Sequence, residues 1–173
     1  MATDTVGTAG TDTTTSGPTK RPFMLDVGTD APTFELENQR GETVSLDSFA
    51  GQPVVVYFYP RANTEGCTVE ACEFRDARPQ LDDHDAVVLG ISDDPVADLA
   101  EFADDYDLNF HLLSDEDGSV SAAYDSYGEK NMFGNTFDGV FRNTYVLDGD
   151  GTIVAAYEGV DPEGHADDVL AEL

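Results

Sequence analysis

The chain has 173 residues, 40% of them hydrophobic, and carries 36 acidic against 8 basic side chains, a formal charge of −28. A chain this long fits one domain with a real core, since folding at this size buries roughly 70% of the surface that the unfolded chain exposes. The charge repels phosphate backbones and anionic lipid, which excludes nucleic-acid or membrane binding as the primary role and leaves small solutes and soluble proteins as partners. The acid is spread along the whole chain, and the only lysines are Lys20 and Lys130. That balance points to a salt-rich cytoplasm, as in a halophile, where about 1 M salt shortens the Debye length to ~3 Å.

Residues 1–22 hold eight threonines with Gly, Ser, Asp and two prolines and show no apolar period. They read as a disordered leader, with Met24 as an alternative start and residues 23–173 as the folded domain. Strand signals follow at Phe34–Asn38 and Thr43–Leu46 around a turn at Gln39–Gly41, an opening hairpin. The run Val54–Tyr59, VVVYFY, is bounded by Gly51-Gln52-Pro53 and Pro60. Its β-branched and aromatic composition predicts a central strand buried on both faces. This run is too short to cross a bilayer or to serve as a signal segment, so the protein is expected to stay inside the cell.

A helix is expected over about Thr64–Arg78, then a strand at Ala86–Ile91, completing a β-α-β unit. Pro95–Tyr106 reads as an amphipathic helix with Pro at its start. Phe110–Leu113 reads as a short strand, Ser119–Tyr124 as a short helix, and the polar stretch on to Gly139 as a long connection. A hairpin of Phe141–Leu147 and Thr152–Tyr157 around Asp148–Gly151 closes the sheet, and a last helix starts near Gly164. The order predicts an α/β fold with a central mixed β-sheet flanked by helices.

Two cysteines are too few for a secreted disulfide framework, so their importance, if any, lies in reactivity. Cys67 ends the turn Pro60-Arg61-Ala62-Asn63-Thr64-Glu65-Gly66-Cys67 after the central strand. With Thr64 or a neighbour as the helix N-cap, Cys67 falls in the first helical turn, where free N–H groups and the helix dipole favour a thiolate.

The segment PRANTEGCTVEAC resembles the active-site segment of peroxiredoxins, with their Pro-x-x-x-Thr-x-x-Cys pattern at Pro60, Thr64 and Cys67. Cys72, five positions on, is similar to the second cysteine of the peroxiredoxin Q group, the bacterioferritin comigratory proteins. The likeness runs over residues 24–173. It includes Asp26–Pro32, Gly128–Met132, Arg142–Tyr145 and Gly164–Ala166. It implies a thioredoxin-like fold and a thiol-dependent peroxidase, with Cys67 as the peroxidatic nucleophile and Cys72 resolving its sulfenic acid as an intramolecular disulfide. Thr64 would hydrogen-bond the thiolate or peroxide, Pro60 would shield the pocket, and Arg142 would hold the thiolate and the charge growing on the leaving oxygen. The resemblance further implies a hydroperoxide substrate, a thioredoxin or similar dithiol reductant, a monomer, a cytoplasmic location, and no cofactor or metal.

Glu65 replaces the proline of many relatives and is expected to face solvent, because an inward charge there would oppose the thiolate. Glu70, one turn after Cys67, has Arg142 or Arg75 as a partner. Asp148–Gly151 and Asp115–Gly118 hint at calcium loops but lack the remaining ligands, and His84, His111 and His165 have no metal-ligand spacing. Two alternatives stay in view. One is a general thiol-disulfide oxidoreductase, which would ordinarily show Cys-x-x-Cys; the other is a copper-binding chaperone of the same fold, which a cation beside the thiolates would oppose.

Overall fold

A computed structural model describes residues 24–62, 64–132 and 134–173; the leader at 1–22 lies outside the described residues. Its elements in chain order are β1 (Glu35–Asn38), β2 (Thr43–Ser45), a 3-10 turn (Leu46–Phe49), β3 (Val54–Phe58), α1 (Glu65–Asp76), α2 (Arg78–Asp83), β4 (Val87–Ser92) and α3 (Val96–Tyr106). Then come β5 (His111–Ser114), α4 (Ser119–Ala123), β6 (Tyr127–Met132), β7 (Asn135–Val140), β8 (Thr144–Leu147), β9 (Ile153–Tyr157) and α5 (His165–Leu170).

Seven strands form one sheet in the order β9-β8-β3-β4-β5-β1-β2. The β3-β4 and β4-β5 pairs are parallel, and β8 joins β3 antiparallel with Val56 opposite Tyr145. The mixed sheet is the expected one. Strand β3 sits inside it because every residue of Val54–Phe58 is at most 3% exposed, and alternation sends its side chains to two separate cores. Val55, Tyr57 and the following Tyr59 join Phe74, Leu81, Leu99, Phe102 and Val169 under α1, α2, α3 and α5. Val54, Val56 and Phe58 join Phe34, Ile91, Tyr124, Tyr145 and Ile153 on the other face.

Three expectations need correction. The helix expected to run from Thr64 to Arg78 stops at Asp76, with Ala77 at φ −83°, ψ 1° before α2 begins. Pro79 is the cause: it has no N–H to give the Arg75 carbonyl, so one helix cannot run through. That carbonyl instead accepts from the Ala77 N–H and from the Asn109 side-chain amide. Secondly, the polar connection after α4 is a two-stranded hairpin of its own, β6 with β7, in register from Tyr127 opposite Val140 to Met132 opposite Asn135. Its backbone ladder forms without an alternating apolar pattern, and Gly134 at φ +82° supplies the left-handed turn residue. Lastly, the closing hairpin starts at Thr144 rather than Phe141, because Phe141–Asn143 is spent on the turn that leads from β7 into the sheet.

Candidate active site

The site lies at the carboxyl end of β3, where the chain leaves the sheet and enters α1, the place where open α/β sheets ordinarily bind ligands. The connecting loop is fixed from below by Asp94, 3% exposed, whose Oδ2 accepts from the Ala62 N–H at 2.7 Å and the Ser92 hydroxyl at 2.8 Å. Nothing in the sequence beyond an acidic residue at a strand end marks Asp94 for this task.

Thr64 is the N-cap of α1 in extended geometry, φ −87°, ψ 158°. Its hydroxyl donates to the Arg61 carbonyl at 2.9 Å and makes no capping bond, while its own carbonyl receives the Thr68 hydroxyl at 2.7 Å. Thr64 and Glu65 are exposed and Pro60 is half-buried. Cys67 is the third helical residue, 1% exposed and free, inside the first turn where N–H groups lack helical acceptors.

Arg142 reaches the same turn from the segment that leads into β8, the neighbour of β3. Its backbone is pinned where the Val160 N–H meets its carbonyl at 2.8 Å and, one residue on, where the Phe58 N–H meets the Asn143 carbonyl at 2.7 Å. The guanidinium lies against Gly66, where an added Cβ would stand 3.1 Å from Arg142 Nη2 and 3.3 Å from Pro162 Cγ. A side chain at position 66 would therefore displace either the arginine or the loop before α5. Nη1 donates to Glu70 Oε1 at 3.0 Å, and Glu70 is fully buried. Of the two partners open to Glu70, the structure thus selects Arg142; Arg75 is taken by Asp76 and by the Tyr106 carbonyl.

Burial pushes the Glu70 carboxyl up to about 7, against the pull of Arg142, with Glu73 adding to the rise. Burial also works against the Arg142 charge, but the negative charge of Cys67 and Glu70 outweighs it and raises the guanidinium further. Beneath lie Tyr57 and Tyr59, both buried and both pushed up chiefly by burial. The hydroxyl of Tyr57 and Glu70 Oε2 have no hydrogen-bond partner among the described residues. Leaving such groups unpaired costs on the order of 1–3 kcal/mol each, a penalty borne directly under the cysteine.

Cys72 is half-buried, free, and on the same unbroken helix as Cys67. Five helical residues give a rise of about 7.5 Å and a rotation of about 140°, which puts the two Cα atoms roughly 8.7 Å apart. Bridging needs less than about 7 Å and converging Cβ vectors. So α1 holds both thiols but keeps them apart. His165 belongs to packing: it is buried, its Nε2 lies 2.9 Å from the Thr144 hydroxyl, and burial lowers it to about 4.

A buried thiol in the first turn of a helix that follows a central strand, with a guanidinium laid against that turn, defines a thiol-redox enzyme of thioredoxin-type fold. The chain belongs to the AhpC/TSA family, whose model matches residues 27–156, and it is a peroxiredoxin. It is 45% identical over 146 residues to peroxiredoxin Bcp of Escherichia coli, a match that covers 84% of this chain and 94% of that protein. Among solved structures it is similar to the bacterioferritin comigratory protein of Xanthomonas campestris, described for alkyl peroxide reduction, at 36% identity and TM-score 0.79, covering 84% of this chain and 96% of that one. It is likewise similar to the PrxQ of Xylella fastidiosa, at 31% identity and TM-score 0.81, covering 86% and 94%.

Proposed function

We propose that this peroxiredoxin reduces hydroperoxides through Cys67 and recovers through Cys72 of the same chain. The thiolate of Cys67 attacks the terminal oxygen of the hydroperoxide in line; the O–O bond breaks, Cys67 becomes a sulfenic acid, and the leaving alkoxide or hydroxide takes a proton to depart as alcohol or water. Arg142 holds the thiolate and offers its remaining N–H groups to the charge that grows on the leaving oxygen. Pro60 shields the pocket. Thr64, whose hydroxyl proton is committed to Arg61, presents its lone pairs to the hydroperoxide O–H. Cys72 then condenses with the sulfenic acid, releasing water and forming a disulfide, which a thioredoxin-like dithiol reduces.

The observation that carries this reading is the setting of Cys67: buried, at the third position of α1, with Arg142 held over Gly66 by Glu70. Resolution requires part of α1 to open, because the intact helix keeps the thiols too far apart. The opening has natural limits. Phe74 is 1% exposed and stacks on Tyr57 at 4.8 Å, and Arg75 Nη1 holds the Tyr106 carbonyl at 2.7 Å, so the carboxyl half of the helix is anchored. Gly66 and the β-branched pair Thr68-Val69 lower helix propensity in the half that must move.

The test is peroxide consumption by the purified protein with a thioredoxin system in high salt. Cys67→Ser is expected to lose all turnover. Cys72→Ser is expected to react once and then accumulate sulfenic and sulfinic acid. Full turnover by Cys67→Ser would overturn the reading.

A further inference from the structure

In a chain with 36 carboxylates and 8 basic side chains, a lysine has an ion-pair partner nearly everywhere it turns. Lys130 takes none among the described residues. Arg40, Arg75, Arg78 and Arg142 each meet a carboxylate at 2.9–3.0 Å; exposed Arg61 forms no ion pair among the described residues, and the half-buried Lys130 ammonium donates to a neutral backbone oxygen, the Val140 carbonyl, at 2.7 Å. Lys130 stands on β6 opposite Phe137, while Val140 is opposite Tyr127. The side chain therefore bends back along the hairpin, three rungs toward its base, and ends half-buried two residues short of Arg142.

The base of the hairpin is tied to the same segment. The Phe141 N–H donates to the Ser126 carbonyl at 2.7 Å, and the Asn143 amide donates to the Ser126 hydroxyl at 3.0 Å. The Phe141 ring lies so close to β6 that a Cβ on Gly128 would meet it at 3.3 Å, and the Lys130 ammonium stands 5.9 Å from that ring's centre. The charges that Lys130 feels are those of the site. Burial and Arg142 lower its pKa, and the negative charge of Cys67 and of Asp93 opposes them.

We propose that Lys130 is a second cation of the peroxide pocket and a positioning residue for Arg142. Its ammonium clamps the Val140 carbonyl, which sets the turn Phe141–Arg142. Its charge, left without a carboxylate, adds to that of Arg142 in favouring the thiolate of Cys67 and the anion released when the O–O bond breaks.

The rate part rests on the peroxidase reading above; the placement part does not, and two measurements separate them. Stopped-flow oxidation of Cys67 is expected to slow about tenfold in Lys130→Met and to stay within about threefold of wild type in Lys130→Arg, a smaller loss than a donor on the reacting atom itself would cause, with matched melting temperatures. A Lys130→Met rate equal to wild type, or an equal loss in Lys130→Arg, would overturn the proposal.

The second measurement uses the chain's own composition. Reductive ¹³C-methylation keeps the lysine charge and gives two side-chain NMR signals, from Lys20 and Lys130. The Lys130 signal, identified by its loss in Lys130→Met or by its distinct titration, is expected to move between wild type and Cys67→Ser while that of Lys20 stays. Two unmoved signals would overturn the proposal even if the protein consumes peroxide; a moved Lys130 signal in a protein that consumes none would place the cation beside Cys67 and sink only the peroxidase reading.

Discussion

The two ends of the sheet use arginine in opposite ways. At the carboxyl end of β3, Arg142 and Glu70 form one ion pair with the carboxylate fully buried and the arginine side chain 18% exposed. At the other end, a cavity of about 510 Å³ opens between Phe49, Phe74, Leu81 and Phe110, with Arg40 and Arg78 at its rim. There Arg78 meets Asp82 at 2.9 Å, one turn away on α2, with both side chains largely exposed, and Arg40 meets Glu42 in the same manner. The same pair of groups at the same distance does different things. In water the pair is screened and contributes little; under the cysteine, burial carries Glu70 up to about 7 and the pair becomes a device that holds a guanidinium in place at some cost in stability.

The largest effect expected from this contrast is on rate. Arg142→Ala should slow oxidation of Cys67 by hydroperoxide roughly 10²- to 10³-fold, the loss that follows removal of one oriented donor at a reacting centre. Rapid-mixing kinetics at fixed salt measure it, and an unchanged second-order constant would make Arg142 a structural residue only.

The next effect is on stability and has a definite sign. Glu70 ionises near 4.5 in the unfolded chain and near 7 in the folded one. Between those values the folded state holds the extra proton, so this residue's contribution falls as pH rises from about 4.5 to about 7 and is flat above. Glu70→Gln has no such slope. Relative to wild type it should gain on the order of 3 kcal/mol between pH 4.5 and 8, a shift of about 2.5 pKa converted at 1.36 kcal/mol each. Urea unfolding of both proteins at the two pH values gives the double difference, and a gap independent of pH would contradict the buried setting of Glu70.

At the exposed end, Asp82→Ala should change stability by less than about 1 kcal/mol, read in the same unfolding experiment. A change as large as that at Glu70 would erase the distinction between the two ends.

How far the sequence reveals the site follows from the range of the forces involved. The run VVVYFY announces a strand buried on both faces, because composition alone excludes it from any surface. The turn Pro60–Cys67 places the cysteine in a first helical turn through local signals, and the structure puts it there. The choice of Arg142 rather than Arg75 for Glu70 is not local: it depends on β8 lying beside β3, which brings residue 142 to residue 70 across 72 positions of chain. The β6-β7 hairpin was hidden for another reason. Its residues, YGEKNM and NTFDGV, pair through a backbone ladder and show no alternating apolar pattern, so periodicity carries no signal there, although Gly134 in a short span marks a turn. Lys130 was hidden with it. The same sequence does announce the end of α1, since Pro79 forbids a continuous helix.

The central claim is that Cys67 and Cys72 of one chain form the disulfide by opening the amino half of α1. It is tested most directly by adding one equivalent of hydroperoxide to the reduced protein, then measuring intact mass without reductant and hydrogen exchange across residues 64–76. The account predicts a monomer lighter by two hydrogens, with Cys67 joined to Cys72, and faster exchange before Phe74 than after it. A Cys67 linked to Cys72 of a second chain, or unchanged exchange across the whole helix, would contradict it.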